Sequence, residues 1–498
     1  MDQQPAASAA ANALAAPTSG MARDEAAGVP SGDGRAPLGV REQMALSFFW
    51  FASNFQSSAL LPIVIPAQVL LFIPGAPGSA NQAIFLGWLS AAGSVTALVV
   101  VPVVGAISDH TPGPLGRRRP YITAGTLLLL AGMVGLASRQ ALVVFIVGLL
   151  VVQLGGNISG AAYQGLLPDR VPEAQRGTAS GYMGLMTILG NVGSLAVAAI
   201  LVSQVSAGAG QNASIWRGSA IYYLLTGIVL AIGLVVTLVG VHEVPLARMP
   251  RPAGAARDGA GERPTWRVRF ARTWIEPWSH HNFAWVFLTR AFVILGLTLF
   301  MTFIEYYFAS VAHVSNFALE TAGLAVLALL GAVLSALTLG ILSDRLHRRV
   351  PIVCVATVLM TVAALVFVVA PDSVPLWPLG LIFGLGYGAY TSVDWALAID
   401  ALPSLAAAGK DLGLWSIAST IPSILAPLVG AVVIGVADVF GQTALGYRAT
   451  FALAGIFFLL GAGFVLKVRE SGDTDKPRAR REPGLDDAER ALGGAYGA

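Results

Sequence analysis

The chain has 498 residues, of which 55% are apolar and only 11% are charged, and its mean hydropathy is +0.71. A soluble domain carries about 25% charged residues, so this chain has too little charge to cover a soluble surface. Its formal net charge of +3 is too small to indicate a nucleic-acid partner.

Apolar runs recur along most of the chain, and each is long enough for a transmembrane helix, which needs about 20 residues. A soluble protein with buried core helices would show shorter runs with amphipathic partners. We therefore predict an all-α membrane protein with twelve transmembrane helices. In chain order the predicted spans are 43–71, 83–107, 120–138, 141–167, 179–203, 219–240, 283–309, 320–343, 350–370, 375–401, 412–437 and 447–467.

The spans are expected to form two halves of six helices, with disordered cytoplasmic tails. The Ala- and Gly-rich start lacks the pattern of a signal peptide, and the end mixes charges of both signs. Seven arginines from Arg248 to Arg272 make the connection between the halves basic. The predicted order is a tail at 1–42, a half at 43–240, a linker at 241–282, a half at 283–468 and a tail at 469–498.

Basic residues are distributed unequally between the two sets of short loops. Cytoplasmic loops of membrane proteins carry an excess of Lys and Arg, so the richer set predicts a multi-pass protein of the plasma or inner membrane with both termini in the cytoplasm. The richer set holds Arg117, Arg118, Arg119, Arg170, Arg176, Arg345, Arg348, Arg349 and Lys410, and the other holds Arg139, Arg217 and Arg448.

Two pairs of loop motifs recur at the same ordinal positions in the two halves. "GAISDHTPGPLGRRRP" follows span two and "GILSDRLHRRVP" follows span eight. "LLPDRVPEAQRGTASGYMG" follows span four and "AIDALPSLAAAGKDLGLWS" follows span ten. Each half therefore has a Ser-Asp before a basic cluster, and a second Asp with a Pro three residues later. This internal repeat predicts two pseudo-symmetric halves.

The first motif resembles the signature of the major facilitator superfamily, which has a Gly, an Asp four residues later, and then a Gly with two basic residues. The matching residues here are Gly105, Asp109, Gly116, Arg117 and Arg118. The longer spacing that ends in "GRRRP" is similar to the branch of sucrose and glycoside–proton symporters and their bacterial relatives. "YQGLLPDRVP" after span four and "LTR…YY" in span seven also resemble that branch.

The chain departs from this branch at two positions. Plant sucrose carriers have an arginine five residues before the Asp that follows span four, and Gln164 stands at that position here. The resemblance therefore implies a sugar-type carrier that lacks one cation of the sucrose site. His347 stands where the second copy of the superfamily signature usually has Gly.

The resemblance implies that the loop charges form a cytoplasmic gate between the halves. Asp109 would meet the start of span eleven, near residues 411–413, and by the repeat Asp344 would meet the start of span five. A carboxylate at a helix N-terminus gains about 0.3–1 kcal/mol. Alternatively, the arginines only set the topology. The predicted gate residues are Asp109, Arg117, Arg118, Asp169, Arg176, Asp344, Arg348 and Asp400.

Polar residues on spans one, four, seven and ten are candidates for substrate binding, because these spans line the cavity in the resembled family. Amides, hydroxyls and aromatic rings suit a hydroxylated ligand such as a sugar. The alternative is hydrogen bonding between helices, which uses the same residue types. The candidates are Asn54, Gln56, Gln153, Asn157, Thr302, Tyr387, Tyr390 and Thr391.

Two acidic residues lie within predicted spans, where a charge is costly and indicates function by default. Either Glu305 or Asp394 could carry a coupling proton. Asp394 is expected to face the cavity because its neighbours on the helix face are aromatic and hydroxyl groups. Glu305 lies near the outer end of span seven and could instead reach the membrane interface. Arg290 could extend to the interface or pair across the halves.

These patterns favour a secondary active transporter that is not an enzyme. The sequence has no phosphate-binding loop that would indicate ATP drive, no metal-ligand cluster and no cofactor motif, and its single cysteine, Cys354, is expected to be a packed thiol. The first-choice activity is proton-coupled symport of a sugar or glycoside by a monomer in the lipid bilayer. The alternatives are an exporter of small hydrophobic compounds and a membrane sensor that does not transport.

Overall fold

The computed structural model describes residues 38–111, 116–138, 141–172, 175–202, 211–241, 280–346, 348–370, 375–401 and 408–469. All regular structure within these ranges is helical. The helices are α1 (Val40–Phe72), α2 (Ala80–His110), α3 (Arg119–Ala137), α4 (Leu142–Arg170), α5 (Arg176–Val202), α6 (Gln211–Gly240), α7 (His281–Ser310), α8 (Phe317–Leu346), α9 (Val350–Val369), α10 (Leu379–Asp400), α11 (Ala408–Val439) and α12 (Thr443–Val465).

This is the all-α, twelve-helix architecture that the sequence predicts. Eleven of the helices, as far as they are described, are long and apolar enough to cross a membrane. The twelfth is α10, which carries Tyr387, Tyr390 and Asp394 among its apolar residues. Several helices extend past the predicted spans: α6 begins at Gln211 rather than at 219. Hydropathy marks the apolar part of a helix, whereas the helix itself continues into polar residues.

Both described ends of the chain lie at the same end of the bundle, which we call the terminal end. The Leu38 amide donates to the Gln175 side chain just before α5, at 2.8 Å. Asn282 at the start of α7 exchanges two hydrogen bonds, of 2.9 and 3.0 Å, with Arg469 after α12. The opposite end, which we call the far end, carries the connections α1–α2, α7–α8 and α11–α12.

The third helix of each half, α3 and α9, begins with the same pair of residue types. Each helix follows an arginine and has a proline in its first turn, Pro120 in α3 and Pro351 in α9. Proline suits this position because its missing N–H would have no partner in a first turn anyway. The repeated "RRP" and "RRVP" motifs therefore mark the start of the third helix of each half.

A π-helical turn interrupts α1 at Leu60–Val64. Pro66 has no N–H, so the carbonyl four residues earlier lacks its α-helical hydrogen-bond partner. The helical turn before the proline is therefore wider than an α-helical turn. Beyond the turn, the fully buried Gln68 donates to the Leu136 carbonyl on α3, at 3.3 Å, and accepts from the Tyr223 hydroxyl on α6, at 2.5 Å. The far-end part of α1 is thereby bound to its own half.

Small residues let α8 and α10 approach closely along their whole contact. A Cβ at Gly380, Gly384 or Gly388 would overlap backbone atoms of Leu324, Ala328 or Ala332 on α8. Close approach of this kind is a common way for helices to associate in a membrane. It fixes α10, which carries Tyr387 and Asp394, against α8.

We expect Gly384→Ala to lower the thermal stability of the purified protein, because the new methyl overlaps the Ala328 carbonyl. Overpacking of this kind costs about 1–3 kcal/mol. The matched control is Gly463→Ala in α12, where a Cβ meets no atom within 4 Å and alanine favours the helix by up to about 1 kcal/mol. Equal unfolding temperatures for the two variants would contradict this close packing.

Candidate functional site

A cavity of about 420 Å³ lies between the two halves. Its described lining contains hydroxyls, one amide and one phenol beside apolar side chains, and none of these described residues carries a charge. The polar lining residues are Ser58 on α1, Ser90 and Ser94 on α2, Asn191 on α5, Thr298 and Thr302 on α7, Thr321 on α8, Tyr387 on α10 and Ser423 on α11.

Contacts between the halves close this cavity toward the far end. The buried Tyr306 hydroxyl on α7 donates to the Pro66 carbonyl on α1, at 3.0 Å, and the Tyr447 hydroxyl on α12 donates to the Gly78 carbonyl, at 2.9 Å. Gly78 has φ +78°, and a Cβ there would lie 2.7 Å from that of Ser310, so this approach requires glycine.

We expect Tyr306→Phe combined with Tyr447→Phe to favour opening of the far end, because each lost hydrogen bond removes about 1 kcal/mol. The measurement is the rate at which a membrane-impermeant maleimide labels Ser423→Cys, in a Cys354→Ala background, from the far side. Tyr163→Phe is the matched control, since the Tyr163 hydroxyl donates to the Leu46 carbonyl within one half, at 2.7 Å. Faster labelling is expected only in the double variant. Equal labelling of the double variant, the control and the parent protein would show that these two hydrogen bonds do not hold the far end closed.

A charged cluster lies beyond the cavity toward the terminal end. The Arg290 guanidinium on α7 pairs with Asp394 on α10 and donates to the Ser419 hydroxyl on α11, at 2.8 Å. It stacks over Trp415 with 3.6 Å from Cζ to the ring centroid. The Tyr390 hydroxyl donates to the other Asp394 oxygen, at 2.8 Å. Both Asp394 oxygens are therefore occupied.

The cluster continues the helix faces that line the cavity. Asp394 lies seven residues after Tyr387, and Ser419 lies four before Ser423, so each pair shares a helix face. Asp394 was expected to face the cavity, but it is not among the lining residues and pairs with Arg290 instead. Arg290 pairs within its own half rather than across the halves.

Glu305 on α7 is only 1% exposed, and neither of its carboxylate oxygens has a hydrogen-bond partner within the described ranges of the chain. The alternative that this residue reaches the membrane interface is therefore wrong. Its preceding residue, Ile304, lines the cavity, and its following residue, Tyr306, makes the far-end contact with Pro66.

Of the eight predicted substrate residues, Thr302 and Tyr387 line the cavity. Asn157 donates to Thr96 on α2, at 2.9 Å, and Asn54 donates to a carbonyl of its own helix, at 2.8 Å. The others lie outside the described lining: Gln56 is buried in α1, Gln153 packs against Gly93, Thr391 donates to Gly388 O, and Tyr390 binds Asp394.

The lining includes helices that the sequence did not indicate. Here α4 contributes no described lining residue, whereas α2, α5, α8 and α11 contribute five polar ones. A usable signal was present, because Ser90 and Ser94, like Ser419 and Ser423, are spaced four apart on one face of an apolar helix. A serine hydroxyl is a weaker signal of a binding site than an amide or an acid, because serine is also common where membrane helices pack together.

The predicted gate residues divide into two groups. Arg118 is buried and donates to Ser108, at 2.6 Å, within its own half, while Arg117 is half-buried and Arg348 is exposed. A further ion pair at the terminal end, Arg170 with Glu42 at 2.6 Å, was not predicted. The side chains of Asp109, Asp169, Arg176, Asp344 and Asp400 lie outside the described residues, so the gate stays a prediction.

The fold and the central cavity between two six-helix halves define a polytopic membrane transporter. The sequence matches the Major Facilitator Superfamily over residues 46–427. The chain belongs to this superfamily.

Similar proteins agree with this family. Sucrose transport protein SUC4 of Arabidopsis thaliana is 25% identical over 197 residues, which are 35% of this chain and 38% of that protein. Sucrose transport protein SUT2 of Oryza sativa subsp. indica is 30% identical over 130 residues, which are 22% of this chain and 26% of that protein. The matched segments thus span a quarter to about two fifths of these relatives.

Solved structures show the same fold. An inward-facing, unoccupied bacterial homologue of the human lysosomal transporter Spinster has a TM-score of 0.64 at 16% identity, and the match covers 86% of this chain and 96% of that one. The nucleoside transporter NupG has a TM-score of 0.61 at 13% identity, with 87% of this chain and 100% of that one covered.

Proposed function

We propose that this chain is a secondary active transporter, and not an enzyme, that moves a neutral hydroxylated solute by alternating access. The first choice is a sugar or glycoside, transported together with a proton. The observation that carries the proposal is the cavity between the halves, with a described lining of hydroxyls, an amide and a phenol and no charged residue.

The lining has the two kinds of surface that a sugar needs. Hydroxyl and amide groups both donate and accept hydrogen bonds, and Ser94, Asn191 and Thr302 supply them from both halves. Phe383 and Met301 add apolar surface for the C–H face of a ring. A charged solute would have to give up its hydration without a described counter-charge in the lining, which is costly.

The similarity to sucrose transport proteins supports a sugar-type solute. Gln164, in place of the arginine of the plant carriers, favours a sugar or glycoside other than sucrose. The excess of arginines in one set of loops supports a cytoplasmic terminal end and a cell-membrane location. We expect a monomer to suffice, because the cavity lies within one chain.

The intramembrane carboxyls, Glu305 and Asp394, are the candidates for proton coupling. The loop charges of the sequence-predicted gate would close the cytoplasmic side in the opposite conformation. Asn54, Gln56, Gln153, Asn157, Tyr390 and Thr391 stay candidates for solute contact in conformations other than this one.

The test is radiolabelled uptake and lumenal pH in proteoliposomes, with a pool of sucrose, maltose and glucose. Thr302→Val is expected to raise the KM about five- to tenfold, because it removes a hydrogen bond worth about 1 kcal/mol. Thr357→Val on α9 is the matched control, since both threonines donate to a carbonyl of their own helix, at 2.7 and 2.9 Å.

Uptake with accompanying proton movement would support the proposal. Absence of flux from folded and inserted protein would contradict it. Binding without flux would indicate a sensor. The apolar part of the cavity lining favours an exporter of small hydrophobic compounds as the second candidate, and flux of such compounds alone would indicate that activity.

A further inference from the structure

We propose that Glu305 is protonated in this conformation and that Glu305, rather than Asp394, carries the coupling proton. The role in coupling rests on the proposed function. The protonated state does not, because it follows from the surroundings of this side chain alone.

Glu305 is buried and has no polar partner among the residues that the structure describes. Its neighbours in the chain, Ile304 and Tyr306, are equally buried. Within the described part of the chain, neither carboxylate oxygen accepts a hydrogen bond. An ionised carboxylate that loses its hydration without a partner charge or a hydrogen bond is strongly unfavourable. Binding a proton removes that charge.

Among the described residues, the titratable groups at the same end of the bundle form no hydrogen bond with Glu305. The hydroxyls of Tyr306, Tyr307 and Tyr447 donate to backbone carbonyls, Arg448 donates to the carbonyls that end α9, and Asp438 accepts from Thr443. On α6, Arg217 is exposed, Tyr222 is hydrogen-bonded to Ser194 and Tyr223 donates to Gln68. The other groups at this end are His313 after α7 and Glu320 on α8.

Asp394 is in the opposite situation. Arg290 neutralises its charge, and both of its oxygens accept hydrogen bonds, from Arg290 and Tyr390. Adding a proton to Asp394 would leave the Arg290 cation without its partner in a half-buried position. We therefore expect both residues of the pair to stay ionised during the transport cycle. The pair connects α7 to α10.

The position of Glu305 explains how it would exchange its proton. Ile304 lines the cavity, and Tyr306 makes the contact with Pro66 that closes the far end. Opening the far end breaks this contact and admits water to Glu305. The carboxylate then takes one proton from a hydronium ion of the far-side water. When water reaches it through the cavity from the terminal side, it returns that proton, so each cycle moves one proton with one neutral solute.

The first test needs no solute. Infrared spectroscopy of the purified protein separates the carbonyl stretch of a protonated carboxyl from the carboxylate bands. We expect a protonated-carboxyl band at neutral pH in the wild type, its loss in Glu305→Gln and its retention in Asp438→Asn. Asp438 is the matched control because it is also acidic and lies at the same end of the bundle, but is exposed to solvent. An unchanged band in Glu305→Gln would overturn the inference.

The second test addresses coupling in proteoliposomes with the same sugar pool. Glu305→Gln mimics the protonated state, so we expect sugar exchange to persist while sugar-dependent proton flux and uphill accumulation are lost. Arg290→Gln combined with Asp394→Asn is expected to keep proton flux. Proton flux in Glu305→Gln, or its loss in the double variant with exchange intact, would overturn the role of Glu305. Absence of any sugar movement by the wild type would instead refute the proposed function, and the infrared result would still stand.

Discussion

Asp394→Asn is expected to destabilise the folded protein by about 3–5 kcal/mol, which is the usual cost of removing one partner from a buried ion pair. The Arg290 guanidinium would remain between α7, α10 and α11, where Trp415 covers it, without the carboxylate that neutralises it. The asparagine still accepts from Tyr390, so the loss is mainly that of the charge. The measurements are the unfolding temperature and the yield of the purified variant, each compared with the wild type.

The double variant, Arg290→Gln with Asp394→Asn, tests whether the unpaired Arg290 charge causes this loss of stability. It removes both charges, so we expect it to recover most of the stability lost in the single variant. Asp438→Asn, an exposed carboxylate on α11, is expected to change stability by less than about 0.5 kcal/mol. If the double variant were as unstable as Asp394→Asn alone, the ion pair would not be the cause.

Ser94→Trp is expected to abolish transport while leaving the fold intact. Ser94 lines the cavity of about 420 Å³ from the α2 side, within the usual size range of small-molecule sites. An indole there takes up space that a sugar ring needs. Uptake should fall by more than about tenfold, because a loss of only about 1.4 kcal/mol in solute binding already has that effect. The measurement is sugar exchange in proteoliposomes.

The control for bulk is Val143→Trp on α4, which is 67% exposed on the outside of the bundle. It adds a similar volume without entering the cavity, and we expect wild-type exchange. Both variants should unfold near the wild-type temperature. Normal exchange by Ser94→Trp would show that the solute does not occupy this cavity.

The fold was predictable because the membrane forces every backbone group to bond within its own helix, so long apolar runs indicate helices directly. The repeated loop motifs added the two halves. The ends of the helices were less predictable: α6 starts at Gln211 although its first residues are polar. Nothing in the apolar pattern marks where hydrogen bonding begins.

The site was predictable only in part, because a polar residue in a membrane helix has two possible uses. Asn157 and Thr302 are both polar residues within apolar helices, so the sequence does not distinguish their roles. In the structure, Asn157 donates to Thr96 on α2, whereas Thr302 lines the cavity. The pairing of Asp394 with Arg290 joins residues 104 positions apart, and helix periodicity gives a face but not the neighbour of that face. The absence of any partner for the Glu305 oxygens among the described residues likewise became visible only in three dimensions.

The anchoring of Gln68 determines where the molecule can part. Two hydrogen bonds tie the end of α1 to α3 and α6, whereas one tyrosine hydroxyl joins that same end to α7. We therefore expect the halves to separate between Pro66 and Tyr306, with the end of α1 staying on its own half. Glu305 is the residue before Tyr306 in the chain. The carboxyl that we propose to exchange a proton on opening is thus adjacent in the chain to a contact that opening must break.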